Sequence, residues 1–456
     1  MKTFFVSVIS AFLALVFPGL VFLALVFLDL GVAQAQTGAT TSPAVPTVYV
    51  IFCGTLIDGV SAKPHRNVRI DVQGDKIKAI TPEADPDWNA GPLGGRPYVI
   101  DLANYTCLPG LIDVHTHVLL QGDIIVDYDE QLLKESAAYR AIRATVAARR
   151  ALEFGFTSIR DLETEGAGYA DVDLRNAIDK GIIPGPRMQV ATRAMDVTGA
   201  YPLLGYSWDL EMPHGVQVVD GPEEGRKAVR EQISHGADWI KVYSDRGNVL
   251  RPDGVLEDIP TFTLDELKSI VDETHRQHRK IASHATGING VHNSVEAGVD
   301  TVEHGSYIAP EDLKTMAAKG IWYVPTPYLA FYRAQVFPKQ ADRMLPQMKV
   351  AEDTFRRAMA AGVKIAYGTD AGAFEWTITP AVQFPVMIKY GMTPMQAIQS
   401  ATIQAADLLG VKDRIGSIET GKLADIVATS GDPLADISRL QDIAFVMKDG
   451  KLVKKP

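Results

Sequence analysis

Cysteine is nearly absent from this chain: Cys53 and Cys107 are its two in 456 residues. Two thiols cannot build a zinc ribbon or a disulfide scaffold. In an oxidising compartment they could pair, but the simpler expectation is two small buried apolar side chains. Positive charge is also short. Lysine and arginine number 45 against 55 acidic residues, a formal net charge of −10. That argues against nucleic acid or an anionic membrane as a partner, because both recruit basic surfaces. One long apolar run does exist. After Lys2, residues 4–28 are almost wholly apolar, with Phe-Leu-Ala-Leu-Val-Phe at 12–17 and again at 22–27, and the small-x-small site Ala33-Gln34-Ala35 follows. This is a secretory signal in outline, expected to cover residues 1–35 and to stand outside the fold. Its length would also serve an uncleaved membrane anchor, the lesser reading. No cysteine follows the run that could carry a lipoprotein anchor. The body of the protein is expected to be exported, periplasmic or secreted.

Residues 36–46 are rich in Thr, Ser, Ala and Pro and read as a linker. From 47 to 109 short β-branched runs alternate with turns, including Gln73-Gly74-Asp75. The stretch 411–456 has the same texture, with Asp449-Gly450 between two apolar runs as a hairpin signal. Both ends are therefore expected to form one small β-sandwich domain. Between them, strand-like runs fall at 110–118, 157–161, 187–192, 239–244, 280–284, 301–304, 321–325 and 364–369. Helical stretches fall at 131–154, 223–235, 264–278, 310–319 and 347–361. Strands alternating with helices predict an α/β fold, a (β/α)8 TIM barrel over 110–410, whose chemistry sits at the C-terminal ends of its strands.

The chemically active residues occupy those ends. His115 and His117 close the first run, and side chains two apart on a strand share a side. Lys241 lies in the fourth run, His284 and His304 close the fifth and sixth, and Asp370 closes the eighth. Neutral imidazoles and carboxylates suit zinc and similar divalent ions, and this set exceeds what one tetrahedral ion needs. Each residue alone has an ordinary explanation: a buried histidine, a lysine reaching for solvent, a helix N-cap aspartate. Their common register is what singles them out.

Taken with their flanking motifs, these residues resemble the amidohydrolase superfamily over nearly all of the chain after the signal. The pieces are Pro109-Gly110-Leu111-Ile112-Asp113-Val114-His115-Thr116-His117, the Lys241 strand, His284, Glu303-His304-Gly305, Gly368-Thr369-Asp370-Ala371-Gly372, and Gly421-Lys422-Leu423-Ala424-Asp425. The resemblance implies two divalent ions, expected to be zinc. His115, His117 and Asp370 would hold one, His284 and His304 the other, and Lys241, as N6-carboxylysine, would bridge them. Two ions sharing a water lower its pKa and hold it for attack. Asp370 is the expected general base, and Tyr243, two residues after Lys241, a candidate oxyanion donor. Softer motifs, among them Gly155-Phe156-Thr157-Ser158-Ile159-Arg160-Asp161 and Gly236-Ala237-Asp238-Trp239-Ile240-Lys241, resemble the metallo-dipeptidase, Xaa-Pro dipeptidase-like and ochratoxin-cleaving branch. That branch implies hydrolysis of an amide to a C-terminal amino acid in a dipeptide or N-acyl amino acid.

A cation would be needed for the substrate carboxylate, with Arg193, Arg246 and Arg333 as candidates, and His214 could line the pocket. Asp113 reads as structural, and Arg160 with Asp161 as an ion pair shaping the site. His65, His235, His275, His278 and His292 read as ordinary residues without a role in the site, His275 and His278 on the solvated face of a helix. A homo-oligomer, up to an octamer, is expected by resemblance. The alternatives are a mononuclear imidazolonepropionase- or deaminase-like hydrolase, a lactonase or cyclic-amide hydrolase, and a non-catalytic exported binding protein.

Overall fold

The computed structural model describes residues 47–82, 97–121, 124–201 and 203–456. The expected signal (1–35) and linker (36–46) lie outside them. Four strands begin the described chain: β1 (Val48–Leu56), β2 (His65–Gln73), β3 (Lys76–Thr81) and β4 (Tyr98–Pro109). The turn between β2 and β3 is the expected one at Gly74, whose φ of 64° lies in the left-handed region that glycine enters without cost.

The middle alternates as the apolar periodicity predicts. β5 (Leu111–Thr116), α1 (Ile124–Lys134), α2 (Ala137–Glu153), β6 (Phe156–Asp161), α3 (Ala170–Asp179) and β7 (Arg187–Val190) come first. The single helix expected over 131–154 is two helices. Ser136 breaks it, because its side chain accepts the Tyr139 N–H and caps α2. Two short strands, β8 (Met195–Asp196) and β9 (Gln217–Val218), precede α4 (Pro222–Ser234) and β10 (Trp239–Tyr243). A hairpin, β11 (Asp245–Leu250) and β12 (Leu256–Pro260), then leads to α5 (Leu264–Arg276), β13 (Lys280–Ala285), α6 (Ile288–Ala297) and β14 (Thr301–His304). α7 (Pro310–Lys319), β15 (Trp322–Val324), α8 (Tyr328–Val336) and α9 (Pro338–Ala360) follow, and three short helices, α10 (Phe384–Lys389), α11 (Pro394–Ser400) and α12 (Ile403–Leu408), end the middle section.

All pairings along β5-β6-β7 and along β10-β13-β14-β15 are parallel. Between these groups the Asp238 N–H donates to the Val190 carbonyl at 2.8 Å. The run expected as an eighth strand, 364–369, is less regular. It pairs through isolated bridges, Tyr323 with Ile365 and Thr116 with Ala371. Main-chain bonds from Ala366 to Tyr323 (3.1 Å), from Val114 to Tyr367 (2.9 Å) and from Asp370 to His115 (2.7 Å) set it between β15 and β5. Apart from the short strands β8 and β9, where the order runs β10-β8-β9, the parallel strands follow chain order and point their C-terminal ends the same way.

The last strands, β16 (Ile426–Ser430), β17 (Ile443–Lys448) and β18 (Lys451–Lys454), join the first four in one seven-stranded sheet, ordered β18-β17-β16-β4-β1-β2-β3. The two chain ends thus build one sheet around their own apolar cluster, which includes Ile51, Val68, Ile70, Leu102, Ile426 and Phe445. Among the described residues no helix is long and apolar enough to cross a membrane.

The cysteines correct one expectation. Cys53 and Cys107 are buried, but they form a disulfide across the parallel pair β1–β4. Far apart in sequence, they meet because β4 returns beside β1. The bridge closes a long loop, with a sequence separation of 54. By loop entropy a crosslink of that span stabilises by about 4 kcal/mol. Replacing both cysteines by alanine is expected to lower the melting temperature by several degrees in scanning calorimetry. Reductant should shift the native protein alike and leave the variant unmoved.

Candidate metal centre

β5 carries His115 at its end and His117 just beyond it. The two rings lie 5.3 Å apart, His115 is 5.0 Å from His304, and His304 is 4.5 Å from His284. Asp370 completes the group: its Oδ1 is 3.2 Å from His117 Nε2 and 3.7 Å from His115 Nε2. Donor atoms of His115, His304 and Asp370 all fall within 4.8 Å of one another, close enough to share an ion. Lys241, 1% exposed, projects from β10, and its Nζ sits 5.4 Å from the centre of the Tyr243 ring. Among the described residues no carboxylate forms an ion pair with that amine within 4.0 Å. Six of the expected site residues are thus brought together, with Tyr243 beside them.

The imidazoles are aimed by their rear nitrogens. His115 Nδ1 meets Glu303 Oε2 at 2.7 Å, His304 Nδ1 meets Thr326 Oγ1 at 2.8 Å, and His117 Nδ1 faces the Glu163 carbonyl at 3.4 Å. A donor on Nδ1 fixes the tautomer and leaves Nε2 free to ligate, the usual support of a metal-binding histidine. His284 differs, with its Nε2 3.6 Å from Asp245 Oδ1. His304 (φ 68°) and Asp370 (φ 65°) sit in the left-handed backbone region. That conformation is costly for such residues and concentrates at functional sites.

Electrostatics favour the ligand forms. Burial, with the nearby Lys241 charge, pushes His115 down to about 4. His304 falls to about 3, by burial and His115. His284 is pushed well below its ordinary value by burial, His304 and Lys241. Burial opposes ionisation of Asp370, but His115 and His117 outweigh it and hold the carboxyl well below the usual range. The Lys241 amine is lowered by burial, which favours its neutral form.

Supporting residues are more specific than the sequence suggested. Asp113 is structural, as read. Its Oδ1 accepts the His115 N–H (3.1 Å) and the Thr369 N–H (3.0 Å), tying β5 to the Asp370 segment. Arg160 and Asp161 do not pair, because neighbours on a strand point to opposite faces. Arg160 instead donates to Glu303 at 2.8 Å and to the Val114 carbonyl, while Asp161 accepts the Val118 N–H at 2.7 Å. Glu303 stood in a quoted motif, but its place between Arg160 and His115 was invisible there.

Glu163 and Glu165, the Glu-x-Glu pair just past β6, went unremarked. Both are buried within reach of His117. The signal was weak: the pair follows the strand, where Glu165 takes a left-handed backbone (φ 50°) and strand alternation no longer applies. Tyr243 donates its hydroxyl to Glu163 Oε2 at 2.5 Å.

The substrate-side candidates separate. His214 is exposed in the segment between β8 and β9. Arg246 is exposed and donates to the Gly199 carbonyl at 2.8 Å. Arg193 faces Glu231 of α4 at 4.0 Å. Arg333, exposed on α8, is close enough for its charge to act on His284. His65, His275 and His292 each face an aspartate at the surface, and His235 stacks on Tyr169.

An amidohydrolase family model matches residues 106–453. The chain belongs to the amidohydrolase family. It is 31% identical over 433 residues to ochratoxinase of Aspergillus niger, covering 90% of this chain and 87% of that one. It is 24% identical over 375 residues to imidazolonepropionase of Cutibacterium acnes, covering 80% and 84%. A crystal structure of a Xaa-Pro dipeptidase with methionine in its active site superposes with a TM-score of 0.78 at 34% identity, covering 89% of this chain and 99% of that one. The family implies a (β/α)8 barrel of the α/β class, and the chain is a metal-dependent hydrolase of C–N bonds.

Two outcomes are expected. Arg160→Met leaves the Glu303 charge buried without its cation and should destabilise the protein by about 3–5 kcal/mol in denaturant unfolding. The second is a pH dependence. His115 titrates near 4 in the fold against an ordinary 6.5. Between those values the unfolded chain binds more protons, so the metal-free protein should lose stability as pH falls through that window. Melting of chelator-treated protein against pH measures this, and His115→Asn should flatten the slope.

Proposed function

We propose that this chain is an exported, binuclear amidohydrolase that cleaves the amide bond to a C-terminal amino acid, in a dipeptide or an N-acyl amino acid. The observation that carries the reading is the convergence of four imidazoles, three of them driven toward neutrality by burial, a buried lysine and an anionic aspartate at one site. The donor set fits two divalent ions, with zinc the expected metal. His115 and His117 with Asp370 would hold one ion, His284 and His304 the other, and Lys241 as a carbamate would join them. The neutral, buried amine is the form that adds carbon dioxide. When bound, two such ions supply a water of lowered pKa and polarise the scissile carbonyl.

The chain's own residues do the rest. Asp370, held anionic, accepts the proton of the attacking water at its carboxylate and returns it to the leaving amine. Glu303 and Thr326 keep His115 and His304 turned inward. Tyr243 reaches the developing oxyanion only if its hydroxyl leaves Glu163. Arg333 is the cation we assign to the substrate carboxylate, because its charge reaches His284 and Arg246 is engaged by Gly199.

In this reading 110–410 is a barrel closed by 364–371, and 47–109 with 411–456 form a companion β-sandwich domain. The buried disulfide and the apolar N-terminal run support export. The exposed Tyr139, Ile142 and Val146, on one face of α2, support a homo-oligomer.

The mononuclear, imidazolonepropionase-like alternative draws on the relative in Cutibacterium acnes. Lys241 and His304 inside the cluster favour two ions. Metal analysis of the purified protein should return two ions per chain, and one would favour the alternative. Chelation should abolish hydrolysis of a panel of dipeptides and N-acyl amino acids, and metal should restore it. Lys241→Ala and Asp370→Asn should each lower kcat/KM by at least about 1,000-fold; near-normal turnover in Lys241→Ala would refute the bridged pair.

A further inference from the structure

Glu163 and Glu165 are 0% and 3% exposed, yet neither meets a lysine or arginine within 4.0 Å among the described residues. Arg140 lies close, but its guanidinium donates to the main-chain carbonyls of Glu165, Thr164 and Leu119. Glu165 Oε2 accepts the hydroxyls of Tyr128 (2.8 Å) and Tyr201 (3.2 Å), and its Oε1 is 4.0 Å from His117 Nδ1. Glu163 Oε2 accepts the Tyr243 hydroxyl, while its Oε1 is buried with no hydrogen-bond partner. Two neighbouring acids are costly to ionise in a buried place with no lysine or arginine paired to them, and phenols supply no positive charge.

The surroundings suit a small organic cation. Tyr201 stands 5.1 Å from Tyr243 and 5.9 Å from Tyr128, so aromatic rings wall the acidic pair. Rings and carboxylates together are what an ammonium group binds. The acid pair is also near the reaction. The Tyr243 ring packs 4.7 Å from His284 while its hydroxyl touches Glu163. One phenol therefore spans the distance from the acid pair to the histidine cluster. In a dipeptide the α-nitrogen is attached to the carbon that bears the scissile carbonyl, so it must lie this close.

We propose that Glu163 and Glu165 recognise the free α-ammonium group of the acyl residue, which makes the substrate a dipeptide with an unblocked amino terminus. This rests on the amide-hydrolase reading above and narrows it: a blocked or aryl acyl group would leave the acid pair without its cation. Glu163 Oε1 supplies the vacant acceptor, and the tyrosines supply ring faces.

The test compares each dipeptide with its N-acetyl counterpart on the metal-loaded enzyme. The free form should have the higher kcat/KM by about 10- to 100-fold, the range of a charged hydrogen bond. Glu163→Gln and Glu165→Gln should each shrink the free-to-acetyl ratio by at least about 10-fold. The advantage should also fade above pH ~8, where the α-amine loses its proton, while the acetylated series shows no such change. Equal cleavage of both members by the native enzyme overturns the proposal and leaves the hydrolase reading standing. So does cleavage restored by N-acetyl-lysine in the acyl position, which would assign the acids to a side-chain cation. No cleavage of either member across the panel overturns the hydrolase reading and the proposal together.

Discussion

The interaction on which the rest depends is the buried line Arg160–Glu303–His115. Glu303 is sealed from water and would be unstable there alone. Arg160 balances its charge from β6, while its other oxygen orients His115 on β5. One residue of β14 thereby sets the direction of a ring on β5. Arg160 is itself held by the Val114 carbonyl and lies 4.3 Å over the Trp239 ring of β10. Four strands are locked together beneath the histidines, and the imidazole that faces Asp370 has little freedom to turn.

Above this layer the chemistry is a contest between burial and charge. Burial drives three histidines toward neutrality and would protonate Asp370 too. The imidazoles around Asp370 reverse that for the aspartate alone. Neutral rings and an anionic carboxylate, side by side, are what divalent ions bind. Behind His117 the balance is different, since Glu163 is pushed well up by burial and by Glu165. Among the described residues no lysine or arginine pairs with these acids as Arg160 pairs with Glu303, and that asymmetry separates an acid placed for support from acids placed for a ligand.

Much of this was legible beforehand. Apolar runs ending in His115, His284 and His304 identified strands and their active ends, because strand periodicity is local and the ligands sit at fixed positions within it. Asp449-Gly450 and Gln73-Gly74-Asp75 marked hairpins for the same local reason. The eighth run, expected as a strand, forms no regular strand and is held by isolated bridges and by Asp113. The helix at 131–154 was misread because Ser136, a capping residue, sits inside an otherwise continuous apolar pattern. Arg160 and Asp161 looked like partners only because they are adjacent.

The sequence by itself determined the kind of chemistry. Residue types at strand ends, in a fixed order, leave few alternatives to a metal-assisted hydrolase, because ligand identity and strand position are both written locally. The tertiary structure decided the pairings. Cys53 finds Cys107, Glu303 finds Arg160 and His115, and Glu163 is left facing Tyr243 with an oxygen to spare. Each of these depends on which strand returns beside which, a matter of long-range packing that no local pattern encodes.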